Sequence, residues 1–286
     1  MKFPGGLDDI QLAGIVDRPR DWDTPAPAPF HPSVDGSLRP VAVFSHCFTC
    51  NKDLKATVRI SRALAKSGVA VLRYDMTGLG GSDGEFAKTN FKTNLGDLAA
   101  AVRFAASELG PVTALIGHSF GGVASLVAAA ASTQDNSPYI QQPGLFSQLR
   151  FVATLAAPSD TQHLATLLSR MNPAIQTRGE GDVTIGGVKW TIHRQMLDDF
   201  RSHDVTAWLP KVNCPVLLLH SPVDETVSID HALRLMSLIQ TDRSDQATNL
   251  TPVSLVALPG ADHLLSNQPA DLAFVTRLLA AWCHRY

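Results

Sequence analysis

From about residue 40 to its end, the chain alternates short, continuously apolar runs with segments of helical spacing. The apolar runs are PVAVFSH, VAVLRYD, PVTALIGHS, FVATLAAPSD, CPVLLLHSP and TPVSLVALPG, and none shows in-out alternation. Strands of that kind are buried on both sides, as happens in a parallel sheet with helices on each face. Between them, Leu54, Val58, Ile60 and Leu64 predict a helix over 53–67 that ends at Gly68. Phe91, Leu95, Leu98, Val102 and Leu109 predict another over 91–109. Helices are also expected over FGGVASLVAAAAS, over 228–240, and over PADLAFVTRLLAAWC with Pro269 near its first turn. The crossovers should be right-handed.

The rhythm breaks between 161 and 210, where a single helix would suffice to join two strands. This stretch contains DVTIGGVKWTI, two β-like runs joined by Gly-Gly, which signals a hairpin. It reads as a small cap over the carboxyl edge of the sheet, where open α/β sheets bind ligands. A decorative excursion is the competing reading. Residues 18–40, rich in proline and polar side chains, read as a surface loop between two early strands. All 286 residues are read as a single domain carrying that insert.

Composition narrows the function. The chain is 45% apolar and 17% charged, with 24 basic and 26 acidic residues and a net charge of -2. No basic stripe supports nucleic-acid binding or capture by an anionic membrane, and no run of about 18 apolar residues could span a bilayer. A chain of this length buries about three quarters of its unfolded surface, so it needs no disulfide or metal staple. The start, MKFPGGLDDIQLAG, lacks the apolar centre of a secretory signal. Cys47, Cys50, Cys214 and Cys283 are too scattered for a disulfide scaffold, so reduced thiols in a cytoplasmic protein are the expectation.

Gly117-His118-Ser119-Phe120-Gly121 fits G-x-S-x-G, with a strand (VTALI) before it and a helix (VASLVAAAA) after it. A side chain at Gly117 or Gly121 would collide with the neighbouring strand or helix, and the serine hydroxyl would project above the sheet beside a helix N-terminus. The bland alternative is a glycine-rich turn without chemistry. A serine nucleophile needs a base, and in this motif the order along the chain is Ser, then Asp or Glu, then His. His263, in LPGADHLLS after the last strand, fits that order. His220 reads as a strand-end histidine, and His118 is expected to turn away from Ser119. His231 and His284 fall on helices, while His193 and His203 lie in the insert. Asp224, in HSPVDETVS, is the favoured acid, placed to fix the tautomer of His263 and stabilise its cation. Asp160 is the rival, and Glu225 and Asp262 are poorer choices.

Acyl transfer also needs backbone donors for an oxyanion. The residue after the nucleophile, Phe120, should supply one. The other should come from the loop after an early strand, Ser45-His46-Cys47-Phe48-Thr49-Cys50, where Phe48 is the candidate. Cys47-x-x-Cys50 permits a redox pair or, with His46, a metal site. Two packing thiols is the first-ranked reading, and no metal is expected. Asp75 to Ser82 is glycine-rich but satisfies no nucleotide-loop pattern, so it reads as a structural loop near the site.

Three ordered motifs, HCFTCNKD, VLRYDMTGLGGSDGEF and IGHSFGG, resemble the hydrolase part of proteins that join an α/β hydrolase to an OsmC-like peroxidase domain. The chain is similar to the α/β-hydrolase superfamily over nearly its whole length. Tyr286 follows the last expected helix, so no peroxidase function is implied. The resemblance implies the α/β-hydrolase fold, with an eight-stranded, mostly parallel sheet, a triad of Ser119, Asp224 and His263, and no cofactor. The insert is similar to the cap of small cinnamoyl-ester hydrolases, which implies compact acyl or aryl esters as substrates. The expected activity is therefore carboxylic-ester hydrolysis through an acyl-enzyme on a small-molecule ester. The rivals are thioester, amide or C–C cleavage by the same triad, and a non-catalytic or redox-responsive binding module using Cys47 and Cys50.

Overall fold

The computed structural model describes residues 1–23, 39–134, 137–140, 142–240 and 251–286. Most of the connector expected over 18–40 lies outside the described residues. Two strands open the chain, β1 (Lys2–Pro4) and β2 (Gln11–Asp17). Then follow β3 (Val41–Ser45), α1 (Lys55–Lys66), β4 (Ala70–Tyr74), α2 (Phe91–Leu109), β5 (Ala114–His118) and α3 (Phe120–Ala131). After β6 (Phe151–Leu155) come α4 (Gln162–Met171), α5 (Ala174–Arg178), a hairpin of β7 (Glu180–Ile185) and β8 (Val188–His193), and α6 (Arg194–Ser202). The chain returns to the main sheet through β9 (Val216–His220), α7 (Ile229–Ile239), β10 (Val253–Ala257) and α8 (Pro269–Arg285).

Eight strands form one sheet in the order β1-β2-β4-β3-β5-β6-β9-β10. β2 runs antiparallel to β1 and β4, and every pairing from β4 to β10 is parallel. Side chains alternate between two buried layers, which accounts for the unbroken apolar runs. Val41 and Val43 of β3 face a core built with α2, α3 and α7. Ala42 and Phe44 face a second core built with α1 and α8. α2 spans the predicted 91–109, and Asn90 with Thr93 closes a capping box at its start. β10 is the exception among the parallel strands. It lies at the sheet edge and is only partly buried.

Gly186 and Gly187 join β7 to β8 with φ of 59° and 78°. Two consecutive residues at positive φ make the type of turn that matches strand twist, and glycine takes it without steric cost. The segment from α4 to α6 is tied to the loops at the carboxyl edge of the sheet. Gln195 donates to the carbonyl of Thr89 at 3.1 Å, and the amide of Phe91 donates to Asp199 at 2.8 Å. Trp190 packs edge-on to Phe86 with ring centroids 4.9 Å apart. Among the described residues, no helix is long and apolar enough to cross a membrane.

Asp97 on α2 is fully buried beneath the loop that follows β4. It accepts from the amide and hydroxyl of Thr77, at 2.7 and 2.9 Å, and more weakly from the amide of Gly6. Burial outweighs these donors and pushes its pKa up from 3.8 to about 6. Protonation therefore favours the folded chain. That contribution is complete below the unfolded pKa and is lost as pH rises through about 6. In urea unfolding, the stability of wild type minus that of Asp97→Asn should fall between about pH 4 and pH 7. A constant difference across that range would contradict this account of Asp97.

Candidate active site

β5 ends at His118, α3 begins at Phe120, and Ser119 alone makes the turn between them, with φ 52° and ψ -118°. A non-glycine residue in that region is strained and persists only where its surroundings hold it. Three contacts do so. The amide of Ser119 donates to the carbonyl of Leu155 on β6 at 2.7 Å, and its own carbonyl accepts from Gly122 at 2.8 Å. The third contact is the close packing of glycine backbone around it. A Cβ at Gly117 would lie 2.3 Å from the carbonyl oxygen of Gly121, and one at Gly121 would lie 2.4 Å from that of Ser45. Ser119 holds the N-cap position of α3, yet its hydroxyl makes no capping hydrogen bond. An N-cap serine ordinarily spends its oxygen that way.

The other candidates stand at the same edge of the sheet, because each follows the C-terminal end of a parallel strand. The register pairs Ser45 with Gly117, His118 with Leu155, Leu155 with Leu219, and His220 with Ala257. Asp224 lies four residues beyond β9 with its carboxylate fully buried. One oxygen accepts from the amides of Thr226 and Val227 at 2.8 and 2.9 Å. The other accepts from Nδ1–H of His263 at 2.7 Å. Burial pulls the Asp224 pKa upward, but the His263 bond and the two amides prevail and hold it below the usual carboxylate range. His263 Nδ1 therefore carries the proton, and Nε2 is left free to act as an acceptor.

His118 links the two halves of the site. Its Nε2–H donates to the backbone carbonyl of His263 at 2.7 Å, and the two rings lie 5.3 Å apart. The loop bearing His263 is thereby tied to the neighbour of Ser119. Burial, reinforced by His263, depresses the His118 pKa to about 3, so His118 is a neutral strut. Among the described residues, no hydrogen bond joins Ser119 Oγ to His263 itself. His220, the last residue of β9, donates to the carbonyl of Val227 at 2.7 Å and supports the Asp224 loop from below. Asp160, the rival acid, instead caps His163 and faces Arg234 at 3.7 Å. Asp262 is occupied by Ser266 and Asn267.

The loop after β3 closes the site on its other side. The carbonyl of Cys47 accepts from His46 Nδ1–H at 2.8 Å and from the amide of Cys50 at 3.1 Å. His46 can donate there because its Nε2 accepts from the amide of Met76. A planar peptide points its N–H opposite to its carbonyl, so the Phe48 amide faces away from both donors. Among the described residues it has no hydrogen-bond acceptor. The amide of Phe120, first in its helix, has no intrahelical acceptor either. The rings of Phe48 and Phe120 meet at 5.9 Å, and both contact Phe200 of α6. Downstream, the buried carboxylate of Asp75 takes the amide and ammonium of Lys52 at 2.6 and 2.9 Å, and Arg73 donates to the Lys52 carbonyl at 2.9 Å.

One expectation is corrected here. Cys47 and Cys50 are not packing thiols but are joined as a disulfide, while Cys214 and Cys283 are free and buried. A turn closed by a hydrogen bond from Cys50 to Cys47 brings their Cα atoms to 5.3 Å, within bridging range.

The model of the alpha/beta hydrolase family matches residues 15–273. The chain belongs to that family. Among solved structures, this hydrolase is similar to the esterase domain of a Rhodothermus marinus protein, at 36% identity and a TM-score of 0.68, covering 100% of this chain and 97% of that one. It shares its fold with Est1E from Butyrivibrio proteoclasticus, solved with ferulic acid bound, at 22% identity and a TM-score of 0.70, covering 99% and 97%. The mouse alpha/beta hydrolase domain-containing protein 10 has the same fold at 19% identity and a TM-score of 0.68, covering 98% and 96%. A comparison with curated proteins found no match. The Gly-x-Ser-x-Gly motif does not itself single out His118, whose role depends on a carbonyl 145 residues away.

The elbow of this hydrolase leaves no room for a side chain at Gly117. In Gly117→Ala the new Cβ would meet backbone atoms of Gly121 and Gly122 at 2.3–2.5 Å, so we expect a loss of at least about 2 kcal/mol of unfolding free energy. Gly144→Ala, whose Cβ meets nothing within 4 Å, serves as the control. Equal midpoints in urea for the two variants would refute the packing argument.

Proposed function

We propose that this hydrolase is a serine carboxylesterase that cleaves small to medium acyl or aryl esters through an acyl-enzyme. Ser119 is the nucleophile, His263 the base and Asp224 the group that orients it. The observation that carries this reading is the 2.7 Å bond from His263 to an ionised, buried Asp224, at the same sheet edge as an uncapped Ser119 hydroxyl. The esterase domain that shares 36% of its sequence with this chain supports the same reading.

His263 Nε2 takes the proton of Ser119 Oγ as the oxygen attacks the ester carbonyl. The imidazolium that forms is stabilised by Asp224. Charge collects on the carbonyl oxygen, where the amides of Phe48 and Phe120 receive it. The tetrahedral species collapses, His263 returns its proton to the departing alcohol, and the acyl group stays on Ser119. Water then attacks that acyl group with His263 again as base. The contact between Ser119 and His263 tightens when substrate excludes water from the site, as catalytic hydrogen bonds commonly do. Residues 161–210 act as the cap. Phe200 and Trp190 pack their rings against Phe48, Phe86 and Phe120, an aromatic cluster next to Ser119 that suits compact acyl or aryl groups.

Ser119→Ala should abolish turnover of a short p-nitrophenyl ester without lowering the unfolding midpoint, and Asp224→Asn should reduce kcat by about 10⁴ by leaving the wrong histidine tautomer. Full activity in Ser119→Ala would refute the assignment. A panel of esters, thioesters and amides of matched acyl size should show the esters fastest. Faster thioester or amide cleavage would move the reaction class.

A further inference from the structure

We propose that the Cys47–Cys50 disulfide is a thiol-exchange site controlling the oxyanion loop, so that reduction by a thiol lowers the hydrolytic rate. This rests on the reading of Phe48 as an oxyanion donor. The two cysteines are the first and last residues of a four-residue turn whose inner residues are Phe48 and Thr49. Thr49 holds φ at +61°. That conformation is unfavourable for a β-branched residue, and glycine is the usual occupant of such a turn position. Three links keep it there. These are the bond from Cys50 to Cys47, the bond from the Thr49 hydroxyl to the carbonyl of Phe48 at 2.6 Å, and the disulfide.

The carbonyl of Cys47 belongs to the same peptide as the Phe48 amide. One of its two donors is the amide of Cys50. When the covalent link is cut, Thr49 can relax to negative φ, which breaks the turn bond and frees the peptide to rotate. His46 remains as a single tether. The side chain of Phe48 stays packed against Phe86, Phe120 and Phe200. The expected result is a misaimed amide within an intact fold. Phe48 is thus placed between two sulfurs whose bonding state sets its backbone.

Access favours one sulfur. Cys47 is only 3% exposed, whereas Cys50 is partly open to solvent. A low-molecular-weight thiolate would attack Cys50 Sγ and form a bond to it, while the Cys47–Cys50 bond breaks and Cys47 leaves as a thiolate that takes up a proton. A second thiolate then attacks the external sulfur of the mixed disulfide and releases Cys50. Two external thiols lose two electrons and become a disulfide, and the protein disulfide gains those two electrons as two thiols.

The test compares oxidised enzyme with enzyme equilibrated in dithiothreitol, using a short p-nitrophenyl ester, with free thiols counted by alkylation and mass spectrometry. Since outright loss of an oxyanion donor costs about 10²–10³ in kcat, reduction should lower kcat by about tenfold or more, with KM changing less. Reoxidation should restore the rate. The double variant Cys47→Ser, Cys50→Ser should match the reduced enzyme and ignore dithiothreitol. Backbone amide exchange across residues 46–51 should quicken on reduction while exchange in β5 and α3 stays the same. An unchanged kcat with both thiols shown to be free would overturn the proposal, and so would unchanged exchange in the loop. If oxidised enzyme turns over no ester, the esterase reading fails together with the claim on rate, and the exchange measurement still decides whether the disulfide orders the loop.

Discussion

At the turn between β5 and α3, backbone packs on backbone with no room for a side chain. Gly121 lies against the carbonyls of Ser45 and His46, and Gly117 against the start of α3. That close approach lets Ser119 occupy a strained conformation with its hydroxyl uncommitted. It also sets the distance between the elbow and the loop after β3, because Gly121 touches the residues from which that loop departs. The loop after β3 and the serine turn are therefore held together by a single backbone contact. Parallel strand register does the rest, delivering the ends of β9 and β10 to the same edge.

Around that contact, buried histidines act as neutral hydrogen-bonding struts. His46 joins the loop after β3 to the loop after β4, His118 joins the elbow to the loop after β10, and His220 braces the loop that carries Asp224. Burial lowers the pKa of all three. A neutral imidazole offers one donor and one acceptor, which suits a role of tying loops together without adding charge near the site. At the core of the site, the charge of Asp224 is satisfied by two amides and one imidazole. The same economy holds on the far side, where Arg73 and Asp75 clamp Lys52 and so fix the downstream end of the loop after β3.

Much of this was legible because local chemistry dictated it. Continuous apolar runs announced strands covered on both faces, and the strand–Gly-x-Ser-x-Gly–helix pattern announced the elbow, since only glycine can accept those contacts. The place of Asp224 after a strand and before a helix favours it over Asp160, and the bond to His263 distinguishes them physically. The weaker inferences concerned side chains whose partners lie far along the chain. The tight turn implies only that His118 points away from Ser119, whereas in the fold it anchors the carbonyl of His263. The disulfide is not legible in the sequence, because a C-x-x-C spacing permits bonded and free states alike and the backbone turn between them decides.

By itself, then, the sequence determined the layered α/β architecture, the position of the serine turn and the chain order of the candidate serine, acid and histidine. Each of these follows from short-range sterics or from periodicity in burial, which neighbouring residues encode. Only the tertiary structure decided which carboxylate meets the histidine, which tautomer each histidine holds, and that Phe48 sits inside a closed ring of four residues. Those outcomes depend on strand register and on contacts between loops up to 145 residues apart, and no local pattern specifies distances of that kind.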